Sequence, residues 1–283
     1  KFALHLLPSG IFRKGVVNIL GNGVALDCES LWTEIQDVAG KGVSITPEEV
    51  YNRLPREIPK TSLPSAEAIL YTLQEIRESG VETLFIITIS SALSGTFNLM
   101  RLTSHDVPEL DCRLIDTKNI GIGAGFTVMR AAEMIDAGAS ADEIEAALCC
   151  LVKSTKVFFC LPTLEYLAKG GRIGRVTATV GSLLDVRPII SCNEEGVYYT
   201  VQKARGAVRA LAAALQNAAD YAKEHAYHLA IAHGGVPELA AHVEAQLAGL
   251  IHSARSYVRT KVSPALGVHT GPGLIGIGVQ RLV

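Results

Sequence analysis

Two hydroxyl-rich turns carry the side chains of this chain that are best suited to bind an oxygen anion. The first is Pro59-Lys60-Thr61-Ser62, and the second is Ser90-Ser91-Ala92-Leu93-Ser94-Gly95-Thr96, which directly follows the apolar run 84–89. Serine and threonine hydroxyls donate hydrogen bonds, and glycine lets the backbone approach a ligand closely. A phosphate and a carboxylate both fit such a site. The first candidate binding residues are Thr61, Ser62, Ser94 and Gly95.

The second turn also has a purely structural interpretation. Ser94 and Thr96 stand where a helix is expected to begin, and serine and threonine commonly cap helices. The residues alone support capping and anion binding equally.

Alternating strands and helices position these turns. Apolar periodicity and capping signals predict strands at 83–89 and 113–116 and helices at 66–79, 95–103, 121–137 and 140–151. Strand and helix in alternation indicate a parallel sheet, and open parallel sheets bind ligands at the carboxyl ends of their strands. The second turn stands at such a strand end.

The pattern becomes mixed from residue 156 onward. It predicts strands at 156–161, 187–192, 197–202, 228–233, 256–262 and 274–279, with helices at 163–168, 206–224 and 237–250. The acidic turn 193–196 joins two of these strands as an antiparallel pair. We therefore expect an α/β chain with a parallel first domain and a mixed α+β second domain, divided near residue 160.

Length and charge restrict the class of protein. The 283 residues correspond to about two domains of ordinary size. The formal net charge of −2 argues against nucleic-acid binding, which normally requires a basic excess. No apolar run is long enough to span a bilayer, and no secretion signal is recognisable, so we expect a cytoplasmic protein.

The cysteines show no pattern typical of a metal site or of disulfides. The six are Cys28, Cys112, Cys149, Cys150, Cys160 and Cys192. They form no Cys-x-x-Cys pair, and several stand in apolar stretches. We expect buried free thiols, with neither a metal nor a cofactor.

Seven motifs follow one another along the chain as they do in the DegV family. Besides the two hydroxyl-rich turns, they are Asp116-Thr117-Lys118, Leu164-Glu165-Tyr166-Leu167-x-Lys169-Gly170-Gly171-Arg172-Ile173, Gly181-Ser182-Leu183-Leu184 with Pro188-Ile189-Ile190, Lys203-Ala204-Arg205-Gly206 and His269-Thr270-Gly271-Pro272-Gly273. Residues 44–283 thus resemble a DegV protein, with DegV-like domains at 45–160 and 161–283.

This resemblance implies a non-catalytic protein that binds a long-chain fatty acid in a tunnel between its domains. It also implies a separate kinase subunit, which phosphorylates the bound carboxylate. Carried over to this chain, Thr61 and Ser94 would bind the carboxylate, Ser62 and Gly95 would lie beside them, and His269 would complete the polar network. Arg172 and Arg205 match arginines near the pocket mouth, which are associated with the carboxylate or with the kinase.

The same residues also fit other interpretations. His269 could simply donate to a backbone carbonyl, Arg172 could be a solvated loop charge, and Arg205 could flank a helix. A hydroxyl-lined pocket also suits an enzyme acting on a small phosphorylated or carboxylated metabolite. An apolar tunnel distinguishes the fatty-acid carrier from such an enzyme, which needs a short polar cleft.

The first 44 residues resemble a different family. Leu4-His5-Leu6-Leu7-Pro8-Ser9-Gly10-Ile11-Phe12 and Leu20-Gly21-Asn22-Gly23-Val24-Ala25-Leu26-Asp27 are similar to an internal stretch of adenylosuccinate synthetase, without its phosphate-gripping loop. Synthetase activity is therefore not expected. The family's first strand is not recognisable here, so residues 16–20 or 2–6 either replace it at the sheet edge or leave that edge unfilled.

Overall fold

The computed structural model of the protein describes residues 18–20, 25–26, 50–52, 54, 56, 58, 61–176 and 185–282. Several features singled out in the sequence lie outside these residues: Cys28, Pro59, Lys60, the motif 181–184 and most of the segment 1–44. The synthetase-like segment is described only as the backbone of two short strands.

The first sheet has the strand order β2-β1-β3-β4. Its strands are β1 (Asn18–Leu20), β2 (Ala25–Leu26), β3 (Thr83–Thr88) and β4 (Asp111–Asp116). β1, β3 and β4 run parallel to one another, and β2 runs antiparallel to β1. The sheet therefore has the parallel centre that the sequence predicts. β1 replaces the expected first strand, because Ile19 lies opposite Ile86 and Leu20 opposite Ile87.

Helices cover both faces of this sheet. They are α1 (Ala66–Glu78), α2 (Thr96–Ser104), α3 (Ile122–Asp136) and α4 (Ala141–Lys153). Leu84 and Ile86 of β3 pack with α1 and α2, whereas Ile87 packs with α3 and α4. This alternation follows from the two-residue period of a strand. α4 begins with the predicted capping box, in which Ser140 and Glu143 bond each other's backbone.

The second sheet is mixed and has the strand order β7-β6-β5-β10-β8-β9. Its strands are β5 (Thr155–Cys160), β6 (Val186–Cys192), β7 (Tyr198–Arg205), β8 (Tyr227–His233), β9 (Ser256–Lys261) and β10 (Ile275–Arg281). Only β8 and β9 pair in parallel; the other neighbours are antiparallel. The associated helices are α5 (Glu165–Lys169), α6 (Ala207–Ala222), α7 (Pro237–Gln246), α8 (Ala248–Ser253) and α9 (Pro264–Thr270).

The chain passes from the first sheet to the second between α4 and β5. β5 pairs with β6 on one side and with β10 on the other, so it belongs to the second sheet. The predicted division at residue 160 differs from this point by one strand. α3 lies between the two sheets and contacts strands of both. Gly278 of β10 allows this packing, because a side chain there would press on Ile122 and Phe126.

The structure corrects two details of the sequence analysis. The helix predicted at 237–250 is divided into α7 and α8 at Leu247. Cys149 and Cys150 are exposed rather than buried, because α4 turns Ile144, Leu148 and Leu151 toward the core. Among the described residues, no group of side chains could hold a metal ion, and no helix has the length and apolarity needed to cross a bilayer.

Candidate functional site

A hydrogen bond between Thr61 and His269 joins the two halves of the chain. Thr61 Oγ1 lies 2.9 Å from His269 Nε2, although the two residues are 208 positions apart in the sequence. Thr61 belongs to the segment that leads into α1, and His269 lies in the last turn of α9. The bond therefore joins a loop of the first half of the chain to a helix of the second half.

The environment of His269 keeps its imidazole neutral. Burial lowers the pKa of His269 to about 4, and the nearby positive charge of Arg172 adds to this effect. A neutral imidazole has one N–H donor and one bare nitrogen acceptor. Nε2 contacts Thr61, whereas Nδ1 is buried without a hydrogen-bond partner in the described part of the chain. A side chain at Gly170 would overlap Nδ1, so only glycine lets this loop lie against the ring.

Ser94 lies two residues before the first residue of α2, in the turn that follows β3. Its hydroxyl oxygen lies 2.9 Å from Thr96 Oγ1 and accepts a hydrogen bond from Thr96 N at 3.3 Å. Both residues are buried: Thr96 is fully buried, and Ser94 is 7% exposed. Ser94 therefore makes the local cap-like contact and also stands where helix amides favour an anion.

Two further contacts bring the segments of the site together. Leu63 packs against Gly95, where an added Cβ would lie 3.1 Å from Leu63 Cδ1. Arg172 donates from Nε to Leu93 O at 3.3 Å and from Nη1 to Gly170 O at 2.7 Å. Residues 61–63, 93–95, 170–172 and 269 thus converge at one junction.

Two of the predicted residues are exposed, and one of them lies away from this junction. Ser62 is exposed beside Thr61. Arg205 is exposed at the end of β7, opposite Val186. We call residues 169–175, which contain three glycines, the glycine loop. At the other end of β7, Tyr198 O accepts a hydrogen bond from Arg175 N of this loop. Seven residues of strand separate these two ends, which corresponds to about 23 Å.

Large apolar clusters border the junction on two sides. One contains Leu93, Phe159, Leu161, Leu167 and Leu274, and its first member directly precedes Ser94. A smaller cluster contains Val50, Tyr51, Leu54 and Val268, and its last member directly precedes His269. The polar groups of the site therefore lie at the margin of apolar surroundings.

A separate surface groove of about 430 Å³ lies at the opposite end of the first sheet. Glu82 and Asp111 line it at the start of β3 and β4, together with Arg101 and His105 of the α2 end. Cys112 also lines it, but none of the candidate binding residues predicted from the sequence does. Its lining carries charges of both signs and indicates no particular ligand.

The sequence analysis missed three features of the site. Helix α9 was not predicted, although Ser263 followed by Pro264 is a typical helix start, and Ser263 Oγ accepts from Leu266 N. The contact of Gly170 with His269 has no local signal, because the residues are distant in sequence. The bonds of Arg172 to backbone carbonyls depend on tertiary packing for the same reason.

The fold and the junction define a two-sheet α/β protein with a hydroxyl and histidine site between its halves. The family model described as an uncharacterised protein of the DegV family matches residues 34–282, and the chain belongs to this family. An adenylosuccinate synthetase model matches residues 1–52. DegV domain-containing proteins of Clostridium perfringens and Clostridium acetobutylicum are 40% and 37% identical, and each match covers 84% of this chain and 84% or 85% of the relative.

Solved structures of similar fold include proteins described as binding lipids. A DegV family protein of Thermus thermophilus, described as fatty-acid binding, has a TM-score of 0.78 and 27% identity over 84% of this chain and 85% of its own. A stearic-acid-binding protein of Eubacterium ventriosum has a TM-score of 0.74 and 27% identity over 85% of both chains.

Proposed function

We propose that this protein binds a long-chain fatty acid at the junction of its two sheets. Thr61, Ser94 and His269 hold the carboxylate, with Ser62 and Gly95 beside them. The observation that carries the proposal is the convergence of residues 61–63, 93–95 and 170–172 around His269, next to apolar clusters. The fatty-acid-binding relatives of the same fold support the choice of ligand.

The chemistry of the site suits a carboxylate that must remain reactive. Hydroxyls and a neutral imidazole donate hydrogen bonds without forming an ion pair. The guanidinium of Arg172 donates hydrogen bonds to two backbone carbonyls. These bonds fix the position from which its positive charge acts on the site. A carboxylate held in this way keeps an oxygen available to attack a phosphoryl donor.

In this proposal the acyl chain lies along the apolar cluster that begins at Leu93. Leu93 directly precedes Ser94, and Phe159, Leu161 and Leu274 continue the cluster toward the second sheet. Each buried methylene contributes about 0.8 kcal/mol, so a long chain gains far more from such surroundings than a small metabolite. The fatty-acid-binding proteins of the same fold favour the carrier over an enzyme with a short polar cleft.

The carrier is not itself a catalyst in this proposal. A separate fatty acid kinase subunit in the cytoplasm phosphorylates the bound carboxylate, and no cofactor is held by this chain. Arg172 contributes to the pocket mouth, and Arg205, which lies away from the junction, contributes to the kinase contact. Exposed Val186 and Val208 flank Arg205 and add apolar area to that surface.

Binding is tested by native mass spectrometry with Thr61→Val and Ser94→Ala variants. We expect wild type purified from a bacterial host to carry a mass that lipid extraction identifies as a fatty acid. Each variant should bind oleate about 10- to 100-fold more weakly, because it loses a hydrogen bond to a charged group. Thr260→Val on edge strand β9 is the matched control and should bind oleate normally.

A different result would exclude the carrier. If wild type is purified without a lipid and takes up neither oleate nor palmitate, the protein is not a fatty-acid carrier. Equal oleate binding by wild type, Thr61→Val and Ser94→Ala would instead exclude the assigned carboxylate site.

A further inference from the structure

The turn between β6 and β7 contacts the first sheet through a glycine that has no room for a side chain. A Cβ at Gly196 would overlap the hydroxyl of Ser90 and would lie 2.9 Å from Ser90 Cβ and 3.1 Å from Lys118 Cα. Ser90 follows β3 and Lys118 follows β4, so the turn lies against the carboxyl ends of both strands. We call residues 193–196 the clasp.

The clasp is internally braced and linked to the glycine loop. Asn193 Oδ1 accepts from Glu195 N and from Val197 N, and Gly196 N donates to Asn193 O at 2.9 Å. Glu195 also pairs with Arg175 Nη2 at 2.6 Å. The clasp therefore keeps its shape and moves with the second sheet.

The residue that the clasp touches supports Ser94 directly. Ser90 O accepts hydrogen bonds from Leu93 N at 3.0 Å and from Ser94 N at 3.1 Å. Ser90 N donates to Asn119 O, which fixes Ser90 to the first sheet. A displacement of Ser90 by the clasp would therefore displace the backbone that carries Ser94.

Backbone conformation alone does not explain the glycine. Gly196 has a positive φ of 79°, a conformation that favours glycine at any position. Gly138 has a nearly equal φ of 77°, but an added Cβ there meets nothing within 4 Å. Two separate constraints therefore favour glycine at position 196: the positive φ of its backbone and its contact with Ser90.

We propose that the clasp holds the two sheets in the arrangement that closes the carboxylate site, and that its release from Ser90 controls the exchange of the bound fatty acid. The proposal rests on the proposed function. It adds that Gly196 and Ser90, neither of which is assigned to the carboxylate, set the rate of ligand release. The clasp acts by position and makes no contact with the reacting atoms.

The test compares release of radiolabelled oleate from preloaded protein to phosphatidylcholine vesicles. Gly196→Ala should release oleate about tenfold faster than wild type, because the added methyl group forces the clasp away from Ser90. Gly138→Ala carries similar backbone strain without the contact and should release oleate at the wild-type rate. Adding Ser90→Gly to Gly196→Ala removes both overlapping atoms, and release should return toward that of Gly138→Ala.

A crosslinked variant tests the clasp independently of the folding of Gly196→Ala. The variant combines Ser90→Cys and Gly196→Cys, and Cys149→Ser and Cys150→Ser remove the two native thiols that are exposed in the described part of the chain. The two Cβ atoms lie 2.9 Å apart, so a small widening brings them to the ~3.5–4.5 Å typical of a disulfide. The oxidised protein should retain oleate, and reduction should restore release. Release at the wild-type rate from the oxidised protein, or equal rates for Gly196→Ala and Gly138→Ala, would overturn the proposal. Failure of wild type to bind oleate would overturn the proposed function instead.

Discussion

His269 combines a hydrogen bond to Thr61 with surroundings that oppose its protonation. Burial is the main cause of its low pKa, and the charge of Arg172 adds to it. An imidazolium at this position would pair strongly with a carboxylate and restrain it. In the proposed site the neutral ring instead belongs to a set of uncharged groups, which suits the proposed binding and later phosphorylation of a carboxylate.

The low pKa of His269 predicts a specific dependence of stability on pH. The folded protein binds a proton at His269 only near pH 4, whereas an unfolded histidine does so near its ordinary value of 6.5. Between these values the unfolded state holds more protons, so the free energy of unfolding falls as the pH is lowered from 6.5 to 4. We expect His269→Gln to lose part of this decline, measured by urea denaturation of ligand-free protein.

His228 provides the comparison for this measurement. Burial also lowers its pKa, and it lies in the second sheet, where Nδ1 contacts Ser256 Oγ. His228→Gln should therefore reduce the acid sensitivity of stability without changing oleate binding. An unchanged pH profile for His269→Gln would show that His269 titrates normally in the folded protein.

Helix α9 is the element that positions His269. It begins at Ser263, whose hydroxyl accepts from Leu266 N, and Pro264 occupies its first turn. The helix ends at Gly271, which has a positive φ of 69°. Because α9 has only seven residues, its cap contributes a large share of its local stability.

A pair of cap substitutions separates the role of α9 from general stability. Ser263→Ala and Ser140→Ala each remove a serine cap and should each cost about 1 kcal/mol in the free energy of unfolding. Ser263→Ala should also weaken oleate binding, because α9 carries His269. Ser140→Ala lies at the start of α4 and should bind oleate normally. Equal binding by the two variants would show that the position of His269 does not depend on the α9 cap.

Local sequence patterns predicted most elements because those elements have strong local signals. β3 has an apolar centre, and α4 has a capping box. The turn 193–196 separates the two predicted strands, although β7 extends to Arg205 and not only to residue 202. α9 was missed because its seven residues include Gly267 and are followed by Gly271, and glycine is a weak helix former. The break at Leu247 has no proline beside it, and the nearby Gly249 lies within α8 and not at the break.

The contacts between the two sheets could not be predicted in the same way. Thr61 was singled out with Ser94 and His269 from the resemblance, but the bond of Thr61 to His269 links residues 208 positions apart. Neither residue has a neighbour in the sequence that specifies this pairing. The contact of Gly196 with Ser90 is likewise visible only once the two sheets are placed.

At the scale of the whole molecule, a short strand from the synthetase-like segment completes the first sheet. β1 lies between β2 and β3, and Ile19 pairs with Ala25 on one side and with Ile86 on the other. Without β1, the edge of β3 would present unpaired backbone groups to other chains. The segment thus has a structural role in the parallel sheet that carries Ser94.

Two truncations test this role. Deletion of residues 1–26 removes β1 and β2, and we expect a lower free energy of unfolding and concentration-dependent aggregation, measured by urea denaturation and light scattering. Deletion of residues 1–15 retains both strands and is the matched control, which should remain close to wild type. If the longer deletion is as stable and as monodisperse as the shorter one, β1 is dispensable.

The position of β10 sets the order in which a newly made chain can mature. β10 follows every other described strand in the chain, yet it lies between β5 and β8. On the ribosome, β5 and β8 must therefore wait for residues up to Arg281 to emerge, while the first sheet is already fully synthesised. The second sheet consequently depends on protection of two open strands during translation, and a premature stop before residue 275 would leave it permanently incomplete.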